Sequence, residues 1–392
     1  MIRATRTQWI KFAVVLALYL IFLVWLRSWL GLVVVPFIFD AYITKKIPWT
    51  WWRESKNRHV VTVMGWVDAI VFALVAVYFV NLYFFQNYVI PSSSLEKSLL
   101  TGDYLFVSKM SYGPRVPQTP LHMPLAQHTL PFFNCKSYLE HPQWDYKRVK
   151  GLGDVQLNDI VVFNFPAGDT VATGVPNDDI YRLSYGAGKE LAKPVDLASM
   201  TPEQQRVVYD YYYQLGREYL KENPQNFGEI ISRPVDRREN YVKRCVGLPG
   251  QTLEIKDRII YLDGKANKEP DNVQYRYLVK TKRPIPDDLA HELGISKEDM
   301  MMYYTDASVY NMPLTEKAKA GLLARKDIVV SIENTPADDA GGLYPLNMYK
   351  NWTTDNYGPV WIPKKGETVK LTIENLPVYE RPIHVYEGNE LA

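Results

Sequence analysis

Two short segments carry side chains able to do covalent chemistry. The first, Pro91-Ser92-Ser93-Ser94-Leu95, sets three hydroxyls in a row. A serine hydroxyl is a weak nucleophile until a neighbouring base takes its proton. The second is Tyr241-Val242-Lys243-Arg244-Cys245-Val246-Gly247-Leu248-Pro249-Gly250. As a strand it points Tyr241, Lys243 and Cys245 to one face and Val242, Arg244 and Val246 to the other. Lys243 then lies between an aromatic ring and a small, weakly polar neighbour. Lysine is rarely buried unpaired, and where burial keeps it neutral it can act as the base a serine requires. Each segment also has an ordinary use. Serines fill loops, and a lysine on an edge strand discourages aggregation. On the residues alone, both uses stay open.

Composition narrows the chemistry. The 392 residues carry 45 Lys+Arg against 43 Asp+Glu, a net charge of +2, which gives no basic surface for a nucleic-acid partner. Two cysteines, Cys135 and Cys245, are too few for a disulfide framework or a cysteine-rich metal site. The six histidines are scattered with no His-Glu-x-x-His, and neither a phosphate-cradling glycine loop nor a dinucleotide fingerprint occurs. No metal and no cofactor are therefore expected, and the work falls to ordinary side chains.

Those side chains follow an apolar first fifth. Phe12 to Leu26 carries no charge, and after Arg27 the apolar character resumes through Val33–Phe39. A second stretch runs from about Gly65 to Phe85, broken only by Asp68 and Asn81. A bilayer-spanning helix needs ~20 mainly apolar residues, so two transmembrane helices are expected. A cleaved signal peptide fits the first poorly, since no small-x-small site follows it and another apolar segment does. Lys45, Lys46, Arg53, Lys56 and Arg58 lie between the segments, against Arg3, Arg6 and Lys11 before them. Five against three assigns the 40–59 loop to the cytoplasm and both termini to the outside. Trp49, Trp51, Trp52 and Trp66 supply interfacial aromatics.

Beyond Phe85 short β-rich runs dominate: Tyr104–Val107, Ile160–Phe165, Tyr241–Val246, Thr252–Ile255, Ile259–Leu262, Ile328–Ile332 and Val369–Ile373. Thr201–Asn223 patterns as a helix begun by Thr201-Pro202 and followed by Pro224. Its five tyrosines suit the packing of an inserted subdomain better than a stacked cofactor.

Taken together, the serine and lysine segments resemble type I signal peptidase, a membrane-anchored serine protease that removes signal peptides from exported proteins. Residues 91–94 match the Pro-Ser-x-Ser nucleophile box, which continues through Gly102-Asp103 to Val107-Ser108-Lys109-Met110-Ser111-Tyr112-Gly113. Asp159-Ile160-Val161-Val162-Phe163-Asn164-Phe165-Pro166 matches the strand leading to the base, and residues 241–250 match the Tyr-Ile-Lys-Arg-x-Val-Gly-Leu-Pro-Gly box. The resemblance implies Ser94 as nucleophile, Lys243 as general base, and an oxyanion hole from the Ser94 backbone N–H and the Ser92 hydroxyl. It implies pockets for small side chains drawn from Ile90, Pro91, Leu95, Val162, Phe163, Tyr241 and Val242, with the substrate added as a strand beside Tyr88–Ser92. Partners would be exported preproteins with signal peptides and the lipid bilayer. The location would be the bacterial inner membrane, multi-pass, with the catalytic domain on the periplasmic side.

The fold class that follows is membrane-anchored and mainly β: two N-terminal transmembrane helices, then an antiparallel β-sheet catalytic domain with large mixed insertions. Residues 1–87 would form the anchor, 88–166 the first part of the catalytic domain and 167–240 an insertion with a helix. Residues 241–265 would form the lysine strand and hairpin, and 266–392 a second insertion or accessory β domain. The sequence departs from the family in two places. Ser-Met-x-Pro is here Ser94-Leu95-Glu96-Lys97, a near-isosteric apolar swap and a lost proline. The closing Gly-Asp-Asn-x-x-x-Ser-x-Asp-Ser-Arg box is not found, which leads to the expectation of a C-terminally incomplete chain that cleaves slowly as it stands. The alternative is a catalytically silent, membrane-anchored binding protein of the same fold.

Overall fold

The computed structural model describes residues 4–133, 135–165, 170–301, 304–306, 308–336, 343–346 and 352–386. Contacts divide the chain into two units. The first holds the residues up to Val89 with Tyr104–Val155 and Pro234–Arg238, and the second holds Ile90–Asp103, Gln156–Arg233 and Glu239 onward.

In the first unit α1 (Arg6–Leu26) starts in a capping box made by Thr5 and Gln8. Two of the four N-terminal N–H groups left over by any helix find partners in this way. Arg27 takes a left-handed conformation and stops it. The chain then doubles back through Leu30–Val34, α2 (Val35–Phe39) and a wide turn at Asp40–Thr44. Gly31 sits against Tyr19 and Leu23, while the Phe39 ring lies 5.4 Å from Phe12 and 6.3 Å from Trp9. The return segment therefore runs antiparallel to α1. Asp40 ends it, accepting from the backbone N–H groups of Lys46 and Ile47, the Trp49 indole and the Thr44 hydroxyl. A carboxylate in an apolar segment is tolerable only with donors of this kind.

The long α3 (Arg58–Tyr83) then ends where α1 ends, with the Tyr83 ring 5.3 Å from Phe22 and 6.5 Å from Trp25. Both long helices are of a length and composition that could cross a membrane. Their apolar side chains stand exposed, Ile21 and Val24 at 66% and Phe72 at 75%. One expectation is corrected here. Because Leu30–Thr44 returns, the start of α1 lies at the same end as the 45–57 connection, so the two cannot be assigned to opposite sides. Beyond α3, β1 (Phe85–Val89) pairs antiparallel with β2 (Tyr104–Ser108), and β3 (Arg115–Val116) with β4 (Lys147–Arg148). Leu26, Tyr83 and Val149 share one small core.

In the second unit β5 (Ile160–Asn164) pairs antiparallel with β8 (Asn240–Arg244), and β6 (Thr170–Ala172) with β7 (Ile230–Ser232). Between β6 and β7 stand α4 (Ile180–Leu191) and α5 (Pro202–Glu222). The α4 helix had no expected counterpart, whereas α5 lies within the expected 201–223. Tyr181 stacks on Tyr213 and Tyr185 on Tyr209, so the tyrosines pack the two helices together. Asp179 caps α4 and also accepts from Arg381, and Arg206 on α5 pairs with Glu380.

Strands β9 (Thr252–Lys256), β10 (Ile259–Leu262), β11 (Lys265–Ala266) and β16 (Tyr357–Trp361) form one antiparallel sheet in the order β11-β10-β9-β16. A second sheet joins β12 (Gln274–Thr281), β13 (Tyr304–Asp306), β14 (Val309–Thr315) and β15 (Val329–Asn334) in the order β13-β14-β12-β15. Strand β14 alternates buried Tyr310, Met312 and Leu314 with partly open neighbours. This period of two puts one face on the core made with Val279, Leu322 and Ile328. Residues 369–373, expected as a strand, are not one. The Asn375 side chain takes the N–H of Thr372 at 2.8 Å and donates to the carbonyl of Lys370 at 2.9 Å, occupying groups a strand partner would use. Residues Ile383–Tyr386 lie in a helical turn, Pro382–Tyr386.

Candidate active site

The turn that carries the serines is held from both ends. Ile90 N–H donates to Asp103 O at 3.0 Å and Gly102 N–H to Ile90 O at 2.9 Å, closing the 90–103 excursion into a loop. Within it Ser93–Leu95 makes a 3₁₀ turn, with Ser92 extended just before. The Ser92 side chain makes no capping hydrogen bond to that turn, so its hydroxyl is not committed to the local backbone. Lys97 then takes φ +67°, a conformation closed to proline. The departure from the family's Ser-Met-x-Pro thus belongs to the turn itself.

Opposite stands β8. Its register with β5 sets Lys243 beside Val161, Val242 beside Val162 and Tyr241 beside Phe163. Three apolar β5 residues thereby fix the strand on which the lysine sits. Lys243 Nζ donates to Ser94 Oγ at 2.5 Å, across 149 residues of sequence. The ammonium also lies 6.0 Å from the centre of the Tyr241 ring. Burial of its inner side draws the Lys243 pKa below the ordinary lysine value, because the charged form loses solvation. Its outer side and Ser94 both remain exposed, as a site that receives a chain from solvent requires.

The other expected residues sit as follows. Ser92 and Pro91 are exposed and Leu95, Val162, Phe163, Tyr241 and Val242 are half-buried. Ile90 is only 2% exposed and belongs to the interior. Tyr241 is pinned by its hydroxyl, which donates to Asn177 O at 3.1 Å, and by the Phe165 ring at 4.8 Å. Pro166, the end of the matched strand motif, lies outside the described residues. Among the described residues, no group of three or more His, Cys, Asp or Glu is placed to hold a metal ion.

Sequence reasoning missed one brace. Arg244, on the face of β8 opposite Lys243, donates to Ser98 Oγ at 2.9 Å and to Asn158 O at 2.9 Å. It ties the serine loop to the lysine strand one residue from the base. The strand alternation that isolates Lys243 also sends Arg244 the other way, which was the available signal.

Comparisons with known proteins bear on the family of the chain. A family model described as "Signal peptidase, peptidase S26" matches residues 63–292. Signal peptidase I P of Bacillus subtilis subsp. natto is 20% identical over 279 residues, covering 70% of this chain and 90% of its own. Signal peptidase I of Helicobacter pylori (strain ATCC 700392 / 26695) is 42% identical over 56 residues, 14% of this chain and 18% of its own. Signal peptidase I of Bacillus amyloliquefaciens is 30% identical over 93 residues, 23% of this chain and 47% of its own. The chain thus spans less than a fifth and less than half, respectively, of these last two relatives. No solved structure matches the chain. The family match covers more than half of the chain and runs through both the turn that bears Ser94 and the strand that bears Lys243, so this protein belongs to the signal peptidase family, peptidase S26, a family of serine-protease hydrolases.

Proposed function

We propose that this protein is a membrane-bound endopeptidase that cleaves signal peptides from exported preproteins with Ser94 as nucleophile and Lys243 as general base. The observation that carries the reading is the Lys243 Nζ to Ser94 Oγ contact. With its amine neutral, Lys243 takes the hydroxyl proton as Oγ attacks the scissile carbonyl. The Ser94 N–H and the Ser92 hydroxyl meet the developing oxyanion. Lysine returns the proton to the leaving amine, and a water deprotonated by the same amine then releases the acyl group and frees Ser94 Oγ. Pro91, Leu95, Val162, Phe163, Tyr241 and Val242, with Ile90 beneath them, shape the pockets for small side chains. On this reading residues 167–240 and 266–392 are insertions into a catalytic β domain.

The helices supply the address. Arg6, Lys11, Lys45, Lys46, Arg53, Lys56 and Arg58 gather at one end of α1 and α3, which favours the cytoplasm for that end. The helix ends at Leu26 and Tyr83 then face outward, as does the chain beyond them. Protease added to intact spheroplasts is expected to digest the large domain and spare an N-terminal epitope. Digestion of the epitope would overturn the parallel arrangement of α1 and α3.

The decisive test is to reconstitute the full chain in lipid with one preprotein and to sequence the new N-terminus. The rate should depend on pH in a defined direction. Since the active form of Lys243 is neutral and its pKa lies below the ordinary 10.5, kcat/KM should rise with pH and level off before that value. An acid limb centred at 10.5 or above would remove burial as the activating device.

A further inference from the structure

The first unit contains a cavity of about 250 Å³ that the proposed chemistry does not use. Trp25, Leu26 and Val149 form its apolar wall, and Arg27, Lys147, Arg148 and Lys150 its cationic one. Neutral groups hold this wall in place. The Trp25 indole donates to Lys150 O at 3.1 Å and Lys147 Nζ to Arg27 O at 2.9 Å. Arg148 donates to Gly113 O at 2.7 Å and to the Tyr146 hydroxyl at 3.0 Å. Among the described residues, none of the four cations takes part in an ion pair. Like charges gathered without a counter-charge repel one another, and an anion entering the cavity relieves that repulsion.

Positive charge continues inward to Arg115 and Arg237, which share the counter-charge of Asp236. Lys109 is pushed down to about 8 by burial first, and then by Arg115, Arg148 and Arg237. The location of the cavity narrows the choice of anion. Its apolar wall is continuous with the core of Leu26, Tyr83 and Val149, where α1 and α3 both end. If those helices span a bilayer, this is the headgroup level, the depth that tryptophan and tyrosine favour. The exposed Leu18, Ile21 and Val24 of α1 offer acyl chains a surface leading to it.

We propose that this cavity binds the phosphate of an anionic phospholipid, with Arg27, Lys147, Arg148 and Lys150 around the headgroup and the acyl chains along α1. The inference rests on the membrane reading above, and the experiment separates the two. The full chain is mixed with vesicles of phosphatidylcholine, alone or doped with phosphatidylglycerol, and flotation reports insertion. Native mass spectrometry in neutral detergent then compares binding of phosphatidylglycerol, phosphatidylcholine and inorganic phosphate.

Insertion into both vesicle types with phosphatidylglycerol bound at least tenfold more tightly than phosphatidylcholine is the expected result. Arg27→Gln/Lys150→Gln leaves the hydrogen bonds of Lys147 and Arg148 intact. It should weaken phosphatidylglycerol roughly thirtyfold, the loss typical of two basic side chains near an anionic headgroup. Equal binding of the two lipids, no effect of the double variant, or phosphate binding as tightly as lipid would each overturn the proposal while leaving insertion untouched. Failure to float with either vesicle would overturn the membrane reading and this inference with it.

Discussion

Lys243→Ala is expected to lower preprotein cleavage by on the order of 10⁴-fold or more, and Ser94→Ala to do the same. The two side chains meet at 2.5 Å, and on the proposed mechanism they act on one proton, so either loss would remove the covalent step. The double variant should therefore be little worse than either single one, which is the mark of residues that work as a unit. Lys243→Met, which keeps length and apolar packing but carries no amine, should be as inactive as alanine; that separates the base from mere support of β8. Ser92→Ala should be milder, roughly ten- to a thousandfold down, as for one lost oxyanion donor. Turnover of one preprotein in lipid reads all five variants. Substantial activity in Lys243→Met would end the dyad reading.

Gly216→Ala is expected to destabilise the second unit by about 3 kcal/mol, the upper end of the usual cost of overpacking. At the α4–α5 crossing the helix backbones nearly touch. A Cβ on Gly188 would come within 1.7 Å of Tyr212 O, and one on Gly216 within 1.7 Å of Ser184 O. Both neighbours are backbone carbonyls, which cannot swing aside as a side chain would, so one methyl group pushes whole helices apart and unstacks Tyr185 from Tyr209. Gly186, also on α4, has nothing within 4 Å of an added Cβ. Gly186→Ala should therefore be neutral or slightly stabilising, since alanine is the better helix former. Chemical denaturation followed by near-UV circular dichroism tests both. Equal stability of Gly216→Ala and the parent would refute the close crossing.

What the sequence disclosed follows from the range of the forces involved. Apolar length announces α1 and α3 because a long run of oily side chains has few other uses. Strands such as Thr252–Lys256 and Ile259–Leu262 were legible as β-rich runs, and a turn at Asp257-Arg258, with positive φ at both residues, joins them locally. The direction of Leu30–Thr44 was not legible. It depends on a left-handed Arg27 and on Phe39 finding Trp9 and Phe12, contacts that no local pattern encodes. Residues 369–373 have the composition of a strand but lose the competition to one asparagine side chain. At the site, Ser94 and Lys243 stood out only through resemblance, since each residue alone has an ordinary explanation. The Arg244 to Ser98 brace is a tertiary contact between loop and strand and had to be seen.

The separation of Ser94 from Lys243 has a consequence for the newborn chain. The serine is synthesised 149 residues ahead of its hydrogen-bond partner. At roughly 5–20 residues per second on the ribosome, the loop at Ser92–Ser94 waits about 7–30 s before the strand that completes it exists. On the proposed dyad, the hydroxyl is an unactivated alcohol during that interval, and any neighbouring nascent chain would pass it uncut. On the proposed mechanism, peptide-bond cleavage could not begin until translation had gone well past the apolar helices, so the order of synthesis itself would work as a safety catch.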